Sequence, residues 1–276
     1  MSLELLFLGT GTSAGVPMIG CECAVCMSRD PHDQRTRASV LISYGARGAA
    51  AEPLEGAPPV RRVLIDTSPE LRMQITRHRI NALDAVLYTH AHADHIFGLD
   101  DLRRFNIVMR APIDIYAEGS VLAQFREMFR YIFEPHLNEN QSFIPQLVAH
   151  AILPVEKLVL HEATFTPIRL MHGRLPVLGF RVDHEGKSLA YCTDVSSVPA
   201  ESMALLRHLD VLVIDALRYR AHPTHMTVDE AMATIEELKP KQAYLTHIAH
   251  EISHAELSPR LPRGVAISYD GLRITL

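Results

Sequence analysis

His90, His92, Asp94 and His95 fall within six consecutive positions of the stretch LYTHAHADHIFGL. Imidazole and carboxylate donors suit zinc, manganese or iron. This spacing therefore points to a metal centre rather than to a histidine-rich loop. The apolar run Ala85-Val86-Leu87-Tyr88 leads in and reads as a buried strand. His90 and His92 are two residues apart, so at an extended strand end both project to one side. Asp94 and His95 follow where the chain must turn. The expectation is two nitrogen donors in one cluster, with a carboxylate and an imidazole in a second cluster beside it.

Three thiols, Cys21, Cys23 and Cys26, lie close together in CECAVC. They can wrap one zinc, but a closed tetrahedral site needs a fourth ligand, and histidine is the obvious type. Other ligand-type residues recur where buried strands are expected to end. His172 follows the strand 164–171, Asp194 follows 188–192, Asp215 follows 211–214 and His247 follows 242–245. Strand ends on one edge of a sheet are where α/β folds gather functional groups. Asp66 ends the strand 61–65 and has two readings: a carboxylate that orients a metal-bound histidine, or a helix N-cap. His225, in Pro223-Thr224-His225-Met226-Thr227, precedes a helix, with His222 as a nearby alternative. His136, His150 and His161 lack partner spacing and read as structural or surface residues.

The elements that must position these groups alternate along 276 residues. Strands are expected at 3–8 and 113–116, a strand pair at 38–43 and 61–65, and a hairpin at 179–182 and 188–192. Helices are expected at 69–79, 98–108, 124–133 and 227–238, the last capped by Thr227. The tail, 266–269 and 272–275, reads as a hairpin about Asp270-Gly271. Residues 134–152 follow no clear pattern. Residues 46–59 are rich in Ala, Gly, Pro and Glu and read as a flexible insertion. The loop Gly9-Thr10-Gly11-Thr12-Ser13-Ala14-Gly15-Val16-Pro17 lacks dinucleotide-binding spacing, and its glycines are expected to let it pass close to another backbone. One domain spanning 1–276 is expected, with the cysteine loop at 20–27.

Composition sets further bounds. Hydrophobic residues make up 47% and charged residues 21%, as in an ordinary globular chain. The net charge of −5, without a basic stretch, disfavours nonspecific nucleic-acid binding. No apolar run is long enough to span a membrane. The start reads as a first strand rather than a signal peptide. Three of the four cysteines are clustered, which fits metal binding in a reducing compartment, and the expected location is cytoplasmic.

The pattern H-x-H-x-D-H, followed by a later His, a later Asp and a later His, resembles the metallo-β-lactamase superfamily from end to end. That resemblance implies a four-layer α/β fold, an αββα sandwich with two mixed sheets face to face, helices outside and metals at one edge. Carried over, His90, His92 and His172 would bind one metal, Asp94, His95 and His247 a second, and Asp194 would bridge them. Aspartate at the bridging position is the mark of the phosphodiesterase and RNase Z side of the superfamily. The opening LGTGTSAGVPMIGCECAVC is similar to the phosphoribosyl 1,2-cyclic phosphate phosphodiesterase family of phosphonate degradation. In that family a histidine three residues after the last active-site histidine completes a structural zinc site, here His250 with Cys21, Cys23 and Cys26.

The resemblance implies two divalent metals, manganese or zinc, in the active site and one structural zinc. It implies hydrolysis of a small cyclic phosphodiester by a metal-bridging hydroxide, with His225 as the acid and Asp94 as the other catalytic residue. The implied partner is a small-molecule phosphodiester, with no membrane and no nucleic acid. Exposed apolar residues in 121–148 would suit a homodimer. Arg103, Arg104, Arg218 and Arg220 lie in plausible neighbourhoods for a phosphate. Three alternatives remain. An RNase Z-like endonuclease would need an RNA-gripping arm between His172 and Asp194, and that interval is too short. A non-catalytic carrier like pyrroloquinoline quinone biosynthesis protein B is disfavoured by the complete ligand set. Thioester or lactone hydrolysis occurs elsewhere in the superfamily, although the cysteine site and the His225 segment favour a phosphodiester.

Overall fold

Alternation along the strands builds the core. Leu5 and Phe7 face one side of the first strand and Leu6 and Leu8 the other, and all four are buried. A strand buried on both faces needs a layer on each side. The computed structural model, which describes residues 3–45, 59–139 and 142–276, supplies both layers. Residues 46–58 of the expected insertion lie outside the described residues.

The first sheet contains β1 (Glu4–Gly9), β2 (Ser39–Tyr44), β3 (Arg61–Ile65), β4 (Ala85–Leu87), β5 (Ile113–Ala117) and β6 (Leu147–Ala151) in sequence order. The second contains β7 (Leu158–Leu160), β8 (Ala163–His172), β9 (Leu175–His184), β10 (Lys187–Cys192), β11 (Val211–Asp215), β12 (Gln242–Thr246) and β13 (Val265–Ile267). The last strand, β14 (Arg273–Thr275), returns to the first sheet beside β1. Each sheet is antiparallel at its start and parallel from β3 to β6 or from β10 to β13.

Between the sheets, Leu5, Phe7, Val40, Ile42, Val63 and Ile65 pack on Phe165, Phe180, Val182, Leu189 and Val213. Each such side chain contributes about 1.5–3 kcal/mol by leaving water, so the sandwich is a rigid frame. The outer face of the first sheet is covered by α1 (Leu71–Arg77), α2 (Ala93–Ile96), α3 (Arg103–Met109), α4 (Gly119–Met128) and α5 (Arg130–Phe133). The second is covered by α6 (Ala200–Met203), α7 (Val228–Leu238) and α8 (His254–Leu257). This is the αββα arrangement expected from the sequence. The Thr227 cap is present as a reciprocal pair with Glu230. Among the described residues no helix is long and apolar enough to cross a membrane.

Three expectations about elements are corrected. The tail is not a hairpin, because β13 pairs with β12 in one sheet and β14 pairs with β1 in the other. Asp270 instead marks a crossover, its carboxylate accepting from the backbone N–H and hydroxyl of both Thr10 and Thr36. The helix expected at 124–133 is two helices, because Phe129 leaves the helical region at φ −118°, ψ 42°. The segment before α3 is a 3-10 turn at Leu99–Leu102. The patternless region contains β6, and β7 follows just beyond it; both are sheet edges with half-exposed side chains. The glycine expectation holds: a Cβ on Gly9 would meet the Arg37 carbonyl oxygen at 2.0 Å.

Candidate metal centre

The parallel strands of both sheets deliver their polar ends to one place. Asp66 follows β3, Thr89 and His90 follow β4, Asp194 follows β10, Asp215 closes β11 and His247 follows β12. Asp66, Asp194 and His247 all have left-handed backbones, with φ of 64°, 54° and 59°. Such conformations cost of order 1–3 kcal/mol each in non-glycine residues. The frame holds them there, where each side chain turns off the end of its strand. A bond from Leu178 N–H to the Thr89 carbonyl ties the sheets together at this edge.

Two groups of donors result. One ligand atom each from His90, His92 and His172 lies within 4.8 Å of the others, and the same holds for Asp94, His95, Asp194 and His247. The His95 Nε2 atom is 3.3 Å from Asp94 Oδ2 and 3.1 Å from Asp194 Oδ2, while His247 Nε2 is 3.3 Å from Asp194 Oδ1. Tetrahedral N and O donors at roughly 2.0–2.1 Å from an ion are separated by about 3.3 Å. Asp194 also faces the other group, with Oδ1 4.0 Å from His90 Nε2.

The hydrogen bonds fix which nitrogen each ring presents. His95 Nδ1–H donates to Asp66 Oδ2 at 2.8 Å, His90 Nδ1–H to Thr89 Oγ1 at 2.9 Å, and His172 Nδ1–H to the Thr224 carbonyl at 2.8 Å. The Nε2 atoms of His90, His95 and His247 are buried with no hydrogen-bond partner among the described residues. Buried polar atoms are normally paired, so three orphaned nitrogens beside two carboxylates fit divalent cations. Asp66 also accepts from Thr89 N–H at 2.9 Å and Thr89 Oγ1–H at 2.8 Å. Of its two readings, orientation of a histidine is the one the structure shows, since Glu70 occupies the N-cap of α1.

Electrostatics act on the donors in two directions: burial alone would lower His95, but the carboxylates of Asp194, Asp94 and Asp66 hold it well above its ordinary value. Burial drives His90 well below its ordinary value and pushes His172 down to about 4, leaving both imidazoles neutral at pH 7. Burial alone would raise Asp194, but His247 and His95 beside it hold the carboxyl well below the usual range.

His225 enters the same space from the loop before α7. Its Nδ1–H donates to Asp215 Oδ2 at 2.6 Å, and its ring stacks on His247 with centroids 4.7 Å apart. One of its nitrogens lies within 4.8 Å of donors from both His172 and Asp194. His222 is partly exposed, accepts from Thr224 N–H, and belongs to none of the donor groups found among the described residues. Sequence reasoning marked Asp215 only as a strand end. Its partnership with His225, ten positions away across a loop, had no local signal.

The cysteines form a separate centre. His250 Nδ1 lies 3.1, 3.4 and 3.7 Å from the sulfurs of Cys21, Cys23 and Cys26. The Cys26 N–H points at the Cys23 sulfur and holds that thiol down at about 6. His247-Ile248-Ala249-His250 therefore serves both centres, one ring turned to each.

Three of the four arginines have other partners. Arg103 pairs with Asp100, Arg218 donates to the carbonyls of Arg220 and Ala221, and Arg220 pairs with Glu251. Arg104 lines a groove with Leu71, Ile75 and Phe105. His150 and His161 pair with Asp114 and Asp84, and His136 lies near Glu134, all away from the centre.

Comparison with known proteins agrees with this geometry. Residues 61–248 match the family described as Beta-lactamase superfamily domain. A crystal structure of a new diphosphatase from the PhnP family is 40% identical, with a TM-score of 0.87, covering 100% of this chain and 98% of that one. The chain belongs to the PhnP family of the β-lactamase superfamily. The chain carries the metallo-β-lactamase fold of that family. Zinc-bound PqqB from Methylobacterium extorquens shares the fold, at 19% identity and a TM-score of 0.77, with 99% of this chain and 100% of that one covered. An octanoyltransferase of Porphyromonas gingivalis is 38% identical over 272 residues, 98% of this chain and 51% of that protein. This PhnP-family chain thus spans about half the length of that relative.

Proposed function

We propose that the chain is a two-metal phosphodiesterase acting on a small cyclic phosphodiester of the phosphoribosyl 1,2-cyclic phosphate type. In this reading His90, His92 and His172 hold one cation, Asp94, His95 and His247 the other, and Asp194 contacts both. Manganese and zinc both suit these N and O donors. The thiolates of Cys21, Cys23 and Cys26 with His250 hold a separate structural zinc. Two divalent cations supply charge neutralisation for phosphate oxygens and lower the pKa of water.

The observation that carries the reading is the buried His225–Asp215 pair beside both donor groups. Opening a ring phosphodiester releases an alkoxide, a poor leaving group that needs a proton as it departs. Asp215 holds the Nδ1 proton of His225, so donation from Nε2 to the substrate oxygen requires a second proton, the imidazolium form, which burial of the ring opposes and the Asp215 carboxylate beside it would favour. Thr224 fixes His172 through its carbonyl and leads directly into His225, so one loop supports a ligand and carries the acid. The complete donor set favours catalysis over a carrier role. The diphosphatase relative suggests a second reading, cleavage of a P–O–P bond, whose phosphate leaving group needs no such acid.

The test is a substrate panel with added Mn²⁺: a 1,2-cyclic ribose phosphate, a linear diester and a diphosphate ester. Highest kcat/KM on the cyclic ester supports the proposal. Preference for the diphosphate ester replaces it with the second reading, and cleavage of precursor transfer RNA at catalytic enzyme concentration replaces it with an RNase Z-like activity.

A further inference from the structure

One carboxylate touches the supports of both donor groups. Asp66 Oδ2 accepts from His95 Nδ1–H, whose ring belongs to the group of Asp94, Asp194 and His247. The same oxygen accepts from Thr89 Oγ1–H, and that hydroxyl accepts in turn from His90 Nδ1–H, whose ring belongs to the other group. The chain His90–Thr89–Asp66–His95 has links of 2.9, 2.8 and 2.8 Å. All four residues are buried, His95 and Asp66 fully. Both rings are thereby locked in the Nδ1–H tautomer, and both Nε2 atoms are the orphaned ones. Among the described residues the second sheet has no matching device for its histidines: His172 leans on a backbone carbonyl, and His247 Nδ1 is 3.9 Å from Asp215 Oδ1.

We propose that Thr89 is a positioning residue that transmits the Asp66 carboxylate to His90, so that one relay orients a ligand in each of the two metal sites. A hydroxyl is required at position 89 because it must accept from an imidazole and donate to a carboxylate at once, which a methyl group cannot do. The carboxylate raises the basicity of a ligating imidazole through the shared proton, and loss of such support typically weakens a metal about 10–100-fold. The two ends differ. Removing the hydroxyl cuts only the His90 branch, whereas neutralising Asp66 weakens both.

This inference rests on the two-metal reading above. The experiment is Mn²⁺ binding to protein stripped of metal and then given one zinc per chain, which the thiolates take ahead of the N and O donors, followed as manganese per chain against free Mn²⁺, for wild type, Thr89→Val, Thr89→Ser and Asp66→Asn. Thr89→Val is isosteric and keeps the backbone N–H bond to Asp66, so the loop retains its shape. The expected result is that Thr89→Val weakens one of two manganese ions by about 10–100-fold and leaves the other unchanged. Thr89→Ser should bind as wild type, and Asp66→Asn should weaken both. Equal loss of both ions in Thr89→Val, or wild-type affinity for both, overturns the relay. A wild type that takes up fewer than two manganese ions overturns the two-metal reading itself, a distinct outcome.

Discussion

Asp215→Asn is the perturbation that separates an acid from a ligand. The Asp215–His225 bond is 2.6 Å long and both groups are buried. A hydrogen bond to a charged partner is worth about 1.5–3 kcal/mol and a neutral one about 0.5–1.5 kcal/mol. Asparagine keeps an oxygen for His225 and for the Val195 N–H, which Asp215 accepts at 2.9 Å, but removes the charge. The difference, about 1–1.5 kcal/mol, corresponds to roughly tenfold in rate. That loss should fall on a substrate with an alkoxide leaving group. Bis(p-nitrophenyl) phosphate, whose leaving group departs without a proton, should be hydrolysed within about threefold of wild type. His225→Ala should widen the contrast to about a hundredfold or more on the alkoxide substrate. The assay is kcat/KM on both substrates with metal content confirmed equal. Equal loss on both would refute the acid and assign the pair to holding His247 or the loop.

Two further outcomes follow from the geometry. Asp270→Ala removes an acceptor serving two backbone N–H groups and two hydroxyls, and should destabilise by about 3 kcal/mol or more in denaturant unfolding; a change under about 1 kcal/mol would deny it a role in joining the sheets. In metal-stripped protein, Cys23 should become alkylated as pH rises through about 6, because its thiolate forms above that value, whereas buried Cys192, pushed up to about 12, stays protonated and unlabelled. Peptide mass mapping reads both, and labelling of Cys192 ahead of Cys23 would contradict the arrangement.

Much of the centre was legible because it depends on short-range spacing. His90 and His92 share a side through strand geometry, and His172, Asp194 and His247 stand where apolar runs stop. The strands were legible from the same runs, whereas their division into two facing sheets was implied by the resemblance to the superfamily. What stayed hidden depends on partners far along the chain. Asp66 had two local readings, and only the approach of His95, 29 positions on, selects one. Asp215 and His225 meet across a loop, so neither announces the other. His222 and His225 are equivalent as residue types, and the burial of His225 separates them. The tail misled because Asp270-Gly271 carries a strong hairpin signal while its flanking strands are claimed by β12 and β1, whose pairing no local pattern encodes. β6 and β7 lacked a signal because each ends its sheet with side chains that are half-exposed rather than alternating cleanly between core and solvent.

The central claim is a pair of catalytic metals joined by Asp194, and it is tested most directly by metal content and bis(p-nitrophenyl) phosphate turnover, with Mn²⁺ added, for wild type and Asp194→Ala. Wild type should carry about three metals per chain, two at the catalytic centre and one at the cysteines. Asp194→Ala should lose at least one metal and about a thousandfold or more in turnover, a loss of about 4 kcal/mol of transition-state stabilisation. Near-normal turnover of Asp194→Ala with both catalytic metals in place would contradict the account.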